Sequence, residues 1–383
     1  TLGTLGALET FAQPKVFLLD AERLMAARAE KGGCSGEKVV KEGNKALYVE
    51  IKPVTAKPIA PPSGDKHDYM SLAPYFWPDP KKKDGLPYIR RDGERNPEIK
   101  TIPDHDSLDK LVGTVEKLSQ AFYLTRDERY SARAAALMRM WFLDAATRMN
   151  PHLDYAQAVR GESTGRNFGI IETRGLPRVI DSIGLLSGSP SWTDADRKGL
   201  EKWFGAYLDW LLNSKLGKLE AATRNNHGTH YDEQVVALAL FVGRRDLAKS
   251  VLEEAKQKRI AAQIEPDGSQ PLELARTQSW NYSAMNLEGF LLLAKLGESA
   301  GVDLWNYTTK DGRGIRKAIE FLTQFTVGGK KWQHQVLTPA DPERLNRLVR
   351  FAARKYTDKQ FAGPAAAAAA RKDANACPSP FSH

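Results

Sequence analysis

The sequence is poor in cysteine and has no long apolar run. Only two cysteines occur among 383 residues, so a disulfide framework is excluded, and Cys34 and Cys377 can pair only if the ends of the chain meet. No run of about 18 apolar residues is present, which excludes a membrane-spanning helix. The start, Thr1-Leu2-Gly3, lacks Met and the regions of a signal peptide. We therefore expect a processed or trimmed chain. Export of the protein is compatible with this expectation.

The sequence also lacks the patterns of nucleic-acid-binding modules. It contains no helix-turn-helix pattern, aromatic RNP box or Cys/His finger. Its 56 Lys and Arg against 47 Asp and Glu give a net charge of +9, and these basic residues are scattered rather than massed in one block. The charge favours an anionic partner. A polyanionic sugar accounts for it as well as nucleic acid does, and nucleic acid is the weaker prediction.

Helical periodicity is abundant. Apolar residues recur at spacings of three and four in Leu108–Leu124, Asp127–Ala146, Leu176–Leu186, Asp194–Leu212, Thr229–Val242, Arg244–Gln263, Tyr282–Leu296 and Arg313–Phe325. Alternating strands form no comparable series. Short breaks between these segments indicate antiparallel helical hairpins. With 42% hydrophobic residues to build a core, the pattern predicts one curved all-α domain over residues 65–360.

The two ends of the chain differ from this helical domain. Residues 1–64 are expected to form an N-terminal segment that packs on the domain or leads into it, with a helix over Val16–Arg28. From Lys57 onward, within the first hundred residues, the chain is rich in Pro, Gly and Lys and shows no steady apolar period. Any small sheet is expected there or around Lys330-Lys331-Trp332. Residues 361–383 form a polar tail, with an alanine run, that need not pack.

The residues that point to chemistry lie near the starts of two predicted helices. Asn225, Asn226 and His227 precede one apolar stretch, and Arg276 and Tyr282 bracket the start of another. Asn and Arg side chains partly neutralise a carboxylate, and His or Tyr can then remove the hydrogen from its α-carbon and protonate a departing oxygen. The combination indicates β-elimination on a uronic acid chain.

Two further strings carry candidate binding residues. Tyr75 and Trp77 lie among prolines in Asp68–Pro80 and are followed by Arg90, so they offer a stiff surface for sugar rings with a guanidinium nearby. Arg166 and Arg174 can present two-donor forks to substrate carboxylates. Both strings also have structural interpretations. The aromatic residues can pin their loop to the core, and the arginines can form ion pairs between helices.

The residues of the proposed centre also have structural interpretations. Asn226 can cap a helix, Tyr282 can belong to the core, and Arg276 can pair with Glu273. Four potential zinc ligands lie close together in the sequence: His227, His230, Asp232 and Glu233. Their spacing is not the His-Glu-x-x-His pattern of zinc sites, so a zinc site is the weaker prediction.

Two other classes of function stay open at this point. A glycoside hydrolase on a helical toroid uses two carboxylates, and four candidates are present: Glu162, Glu172, Asp232 and Glu273. A non-catalytic polyuronate-binding protein would bind the polymer without shortening it.

The combination of motifs resembles a known family. Asn225-Asn226-His227-Gly228, Arg276 with Tyr282 six positions on, and the Tyr69–Pro80 string resemble the alginate lyase superfamily, most closely polysaccharide lyase family 38 and more distantly family 5, over roughly residues 65–355. The resemblance implies an incomplete (α/α) toroid with a substrate groove. It also implies metal-independent β-elimination of polymannuronate or polyglucuronate, with no cofactor, in a periplasmic or secreted protein.

The resemblance also implies roles. Asn226 and Arg276 would neutralise the carboxylate at the cleavage subsite, Tyr282 would donate to the leaving O4, and His227 would be the base or help to hold the carboxylate. In mannuronate and glucuronate the C5 hydrogen and O4 lie on one side of the ring, so Tyr282 alone can be base and acid if Arg276 and His227 lower its pKa. The expected substrate-binding residues are Tyr75, Trp77, Arg90, Arg166, Arg174, Asn225 and His230.

Overall fold

The computed structural model describes residues 13–30, 33–326, 329–339 and 341–357, together with residues 361 and 363. Within these residues α-helices dominate, and we number them α1–α13 in chain order: Ala21–Ala29, Gly33–Ala46, Asp104–Thr125, Glu128–Met138, Leu176–Leu185, Asp194–Asn213, Lys215–Ala221, Asn226–Phe241, Arg245–Ala255, Pro271–Leu274, Ser279–Ala300, Ile315–Thr323 and Pro342–Ala352. The strands β1–β4 are Met70–Leu72, Phe76–Trp77, Ile89–Arg90 and Tyr155–Ala158. The prediction of an all-α domain is confirmed.

Each of the eight predicted helices is present, as α3–α6, α8, α9, α11 and α12. Two of them change character before their predicted ends. After α4 the chain continues as a π-helical turn over Arg139–Leu143, and after α9 as another over Lys256–Ala261. The periodicity therefore predicts the existence and position of these helices but not the points at which α-helical hydrogen bonding stops.

The predicted helix Val16–Arg28 is too long at its start. The Asp20 side chain accepts hydrogen bonds from the backbone of Glu22 and Arg23 and so caps α1 just before Ala21. Upstream, the backbone N–H groups of Phe17, Leu18 and Leu19 donate to the buried Asp181 carboxylate at 2.7, 3.0 and 2.7 Å. A helix over these residues would break that long-range contact.

Helices α8 and α11 form the centre of the domain. Nearly every residue of α8 is buried, and its neighbours include α5, α6, α7, α9 and α11. Gly289 of α11 permits the close approach, because a Cβ there would lie 2.9 Å from the Thr229 methyl of α8. Gly301, with φ of 72°, then ends α11 in the left-handed conformation that glycine adopts readily.

The irregular N-terminal region carries most of the small sheets, as expected. Strand β1 pairs in parallel with β4, which was not predicted, and β2 pairs with β3 in an antiparallel hairpin. A buried ion pair between Lys57 and Asp104, 3.0 Å apart, ties this region to the start of α3. The region is thereby fixed against the helices.

The part of the chain N-terminal to this region packs on the helical domain. Tyr130 of α4 donates to the side chain of Asn44 in α2 at 2.8 Å. The predicted tail 361–383 lies outside the described residues except for residues 361 and 363, as do the Cys34 side chain and Cys377. Among the described residues, no helix is long and apolar enough to cross a membrane.

Candidate active site

The first turn of α8 presents the Asn225-Asn226-His227 motif. Asn225 is the N-cap, and its side-chain oxygen accepts from the His227 backbone N–H at 3.3 Å. The capping role predicted for Asn226 therefore belongs to Asn225. Asn226 is fully buried, and its backbone and side-chain N–H groups donate to the two Glu273 carboxylate oxygens at 2.6 and 2.7 Å.

A buried arginine fixes the chain that leads into this motif. Arg259 pairs with Asp232 at 2.7 and 3.0 Å and donates to the backbone carbonyls of Ala221 and Thr223. Gly228 leaves room for it, because a Cβ at that position would lie 2.3 Å from the Arg259 Nη1. Asp232 is thus committed to Arg259 rather than to a metal. Across the described chain, no group of three His, Cys, Asp or Glu side chains is placed to hold a metal ion.

His227 is held through one of its ring nitrogens. Its Nδ1 lies 2.6 Å from the Oε1 of Glu220 in α7, a carboxylate with no solvent exposure. The other Glu220 oxygen accepts from the Asn167 side chain at 2.8 Å. The Phe168 ring packs edge-on against the imidazole with centroids 4.9 Å apart. The His227 side chain keeps 16% exposure, so the imidazole reaches solvent while its Nδ1 is engaged.

Arg276 is paired with Asp92, not with Glu273 as the alternative interpretation has it. The guanidinium donates to both Asp92 oxygens at 2.7 and 3.1 Å. Thr277 donates to the same carboxylate through its backbone and hydroxyl, and Arg90 donates to it at 2.6 Å. Burial alone would raise the pKa of Asp92, but the hydrogen bonds from Arg276 and Thr277 outweigh burial and hold the pKa well below its usual range.

Tyr282 lies in the first turn of α11, directly under this guanidinium. The Arg276 Cζ is 4.0 Å from the Tyr282 ring centroid, and the Tyr282 hydroxyl donates to the Tyr75 hydroxyl at 2.8 Å. Burial raises the pKa of Tyr282 well above its usual value, and Tyr75 raises it further, while Arg276 acts in the opposite direction. Arg276 thus lowers the pKa of Tyr282 as expected, but the expected net lowering is wrong, because desolvation is the larger effect.

Arg166 lies between His227 and Tyr75, and we call these residues, with Tyr282 and Arg276, the circuit. Its guanidinium lies 4.6 Å from the ring of Phe76, next to Tyr75, and 5.2 Å from the ring of Phe168, which touches His227. It also donates to the backbone and side-chain oxygens of Gln157 at 3.1 and 3.0 Å. Gln157 has a φ of 51°, an uncommon conformation for a residue other than glycine. On the other side, both Arg276 and His227 act electrostatically on Glu273, so Arg276 and His227 also lie near a common residue.

Three predicted binding residues lie away from this circuit. His230 is buried, with its ring nitrogens 3.2 Å from the Glu233 carboxylate and 3.0 Å from the Met285 carbonyl, so it faces the core. Arg174 is exposed and donates to the Ile171 carbonyl at the end of a 3₁₀ turn. The Trp77 indole donates to the Glu94 carbonyl and lies under Arg91, which matches the pinned-loop interpretation.

The carboxylates named for a hydrolase are engaged elsewhere. Glu172 is buried and accepts from the hydroxyls of Tyr69 and Ser71, both at 2.7 Å. Asp232 and Glu273 hold Arg259 and Asn226, and Glu162 is exposed. These contacts account for three of the four carboxylates, which leaves no free pair of buried carboxylates among these candidates.

Sequence reasoning missed several residues of the site. Glu220, Phe168 and Gln157 carry no local signal, since each meets the site through tertiary contact alone. Asp92 directly follows Arg90 and Arg91 in the sequence, and a carboxylate among arginines is a recognisable signal of an ion pair.

Comparison with known proteins finds a matching family model and similar solved structures. The alginate lyase family model matches residues 53–332. The crystal structure of an alginate lyase from Bacteroides ovatus has a TM-score of 0.90 at 36% identity and covers 94% of this chain and 97% of that chain. No curated protein sequence matches.

A more distant solved structure shares the fold. Alginate lyase A1-III from Sphingomonas species A1 has a TM-score of 0.57 at 15% identity, with 91% of this chain and 92% of that chain covered. The all-α toroid predicted from the sequence is thereby confirmed. On the family model and the 36% identity to the Bacteroides ovatus protein, the chain belongs to the alginate lyase family.

Proposed function

We propose that this protein is a polysaccharide lyase that cleaves polymannuronate or polyglucuronate by β-elimination and leaves 4,5-unsaturated uronate ends. The observation that carries the proposal is the Arg276–Tyr282 contact, in which a cation for the substrate carboxylate lies 4.0 Å from the ring of a phenolic proton donor. Family membership supports the same chemistry.

The proposed reaction uses Arg276, His227 and Tyr282. Arg276 neutralises the uronate carboxylate, so the C5–H bond becomes more acidic, and the Nε2 of His227 accepts that proton. The electron pair left on C5 delocalises into the carboxylate as an enediolate-like species, which Arg276 stabilises. The C4–O4 bond then breaks, the C4–C5 double bond forms, and Tyr282 gives its proton to O4. Asn226 contributes by fixing the start of α8 through Glu273.

The assignment of Tyr282 as acid rather than base follows from its environment. Burial and Tyr75 raise the pKa of Tyr282, so the phenol is neutral in the free protein and is ready to donate rather than accept. His227 is the open imidazole of the circuit and is the better base. In mannuronate and glucuronate both groups act on the same face of the sugar ring.

Two finer assignments accompany the proposal. The Asn-Asn-His-Gly motif and the Arg276–Tyr282 spacing favour placement in polysaccharide lyase family 38. A polymeric anionic substrate favours a periplasmic or secreted location, because such polymers do not enter the cytoplasm intact.

The test is to incubate the protein separately with polymannuronate, polyguluronate and polyglucuronate while following ultraviolet absorbance and reducing ends. We expect both signals to rise together on polymannuronate or polyglucuronate. Reducing ends without absorbance would identify a hydrolase, and binding with neither signal would identify a non-catalytic protein. Either result would refute the proposal.

A further inference from the structure

We propose that Glu220 is a positioning residue that holds His227 as the Nδ1–H tautomer and so leaves the Nε2 lone pair free to take the C5 proton. The catalytic part of this inference rests on the proposed function, whereas the tautomer itself does not. Glu220 belongs to none of the sequence motifs and was not among the predicted site residues.

The geometry leaves Glu220 few other roles. Its side chain has no solvent exposure, its Oε1 lies 2.6 Å from the His227 Nδ1, and its Oε2 accepts from Asn167 at 2.8 Å. An ionised carboxylate accepts hydrogen bonds and donates none, so the shared proton is carried by Nδ1. In the neutral imidazole the second nitrogen, Nε2, then has no hydrogen.

This tautomer decides between the two roles considered for His227. A neutral imidazole with a bare Nε2 cannot donate a hydrogen bond to a substrate carboxylate, and two acceptors that face each other repel. The same nitrogen is suited to receive a proton from C5. When it does, the buried Glu220 carboxylate stabilises the imidazolium that forms, which is the function of a carboxylate behind a catalytic histidine.

The other charged groups around His227 do not replace Glu220 in this role. Glu273 approaches from the segment before Arg276, and both its oxygens are held by Asn226. Arg166 reaches the imidazole only through the intervening Phe168 ring. Glu220 alone among these groups touches a ring nitrogen of His227.

The first experiment measures the tautomer directly. Protein labelled with ¹⁵N-histidine is studied without substrate at a pH where His227 is neutral, and its signals are assigned by their loss in His227→Gln. We expect a protonated Nδ1 and an unprotonated Nε2. A protonated Nε2 would overturn the proposal, whatever the activity of the protein is.

The second experiment uses Glu220→Gln. Asn167 donates to the Oε2 side of residue 220, so the glutamine oxygen should turn toward Asn167 and its NH₂ toward Nδ1. Nδ1 then becomes an acceptor and the proton moves to Nε2. We expect kcat to fall ~10²-fold or more, with KM little changed because Glu220 does not touch substrate.

The matched rescue is Glu220→Gln combined with Asn167→Asp. An aspartate at 167 accepts from the glutamine NH₂, so the glutamine oxygen turns back to His227. We expect the Nδ1–H tautomer to return and kcat to rise at least ~10-fold above Glu220→Gln alone.

Each outcome decides one question. Wild-type kcat in folded Glu220→Gln, or a rise in KM with kcat unchanged, would overturn the positioning role. If Glu220→Gln does not fold, the tautomer measured in the wild-type protein still tests the proposal. If Nδ1 is protonated but the protein gives no unsaturated product from any polymer, the proposed function is refuted and the tautomer assignment stands.

Discussion

The Tyr282 hydroxyl donates a hydrogen bond of 2.8 Å to the Tyr75 hydroxyl, across a separation of 207 residues in the chain. This contact joins the irregular N-terminal region to the start of α11 and directs the Tyr282 proton toward the Tyr75 oxygen. We infer that a substrate O4 takes the place of the Tyr75 oxygen as acceptor. The proton donor is therefore oriented before substrate binds.

The first prediction concerns this proton. Tyr282→Phe removes one hydroxyl and little volume, so the fold should survive while the leaving oxygen loses its donor. We expect turnover to fall ~10²- to 10⁴-fold, as is typical of a lost general acid. Tyr75→Phe is the matched control, since it removes the acceptor but leaves the donor, and it should lose less than ~10-fold.

Turnover is measured by ultraviolet absorbance, and Tm is measured for both variants. Retention of more than about a tenth of wild-type turnover in Tyr282→Phe, with an unchanged Tm, would fall short of general acid catalysis. The assignment of Tyr282 would then be wrong.

The second prediction separates the two asparagines. Asn226→Asp places a second carboxylate against the buried Glu273 and removes the side-chain donor, so we expect a loss of about 3 kcal/mol or more in the free energy of unfolding. Asn225→Ala removes only the helix cap and should cost ~1 kcal/mol. Urea denaturation compares them. Equal losses would show that the Asn226–Glu273 contact contributes little.

The third prediction is a pH dependence of stability. The pKa of Asp92 is held well below its ordinary value of 3.8, so its stabilising effect is complete above that value and is lost as pH falls below it. We expect the difference in free energy of unfolding between wild type and Asp92→Asn to be constant from neutral pH to about 4 and to shrink at lower pH.

The control is Asp209→Asn, which removes the partner of Arg244 at the exposed surface. It should change the free energy of unfolding by less than about 1 kcal/mol at any pH. A difference for Asp92→Asn that persists unchanged well below pH 4, or grows there, would contradict the pairing with Arg276.

The fourth prediction concerns salt. Arg90 is largely exposed beside the Asp92–Arg276 pair, so attraction of a polyanionic substrate should be screened over about 8 Å at physiological ionic strength. We expect KM to rise with salt, and Arg90→Ala to have a higher KM at low salt with a weaker salt dependence. Arg244→Ala, at the opposite end of α8, should keep the wild-type dependence. A KM insensitive to salt would contradict electrostatic binding.

Local sequence signals predicted the helices and the chemical groups of the site. An apolar spacing of three and four residues is a property of one segment, so α8 and α11 can be recognised without their partners. The Asn225-Asn226-His227 motif and the Arg276–Tyr282 spacing lie at the starts of those helices. Helix ends were less predictable, because α1 is shortened by the contact of Phe17–Leu19 with a distant Asp181.

The sequence by itself thus determined the all-α class and the amide, imidazole, guanidinium and phenol near the starts of two helices. Only the tertiary structure decided which partners these groups have. His230 lies three residues after His227 and on nearly the same side of the helix, yet it is one turn further along, where it is buried against Glu233 and Met285. Glu220 and Asp92 reach His227 and Arg276 because packing fixes how each helix and loop is rotated against its neighbours, and local periodicity does not contain that rotation.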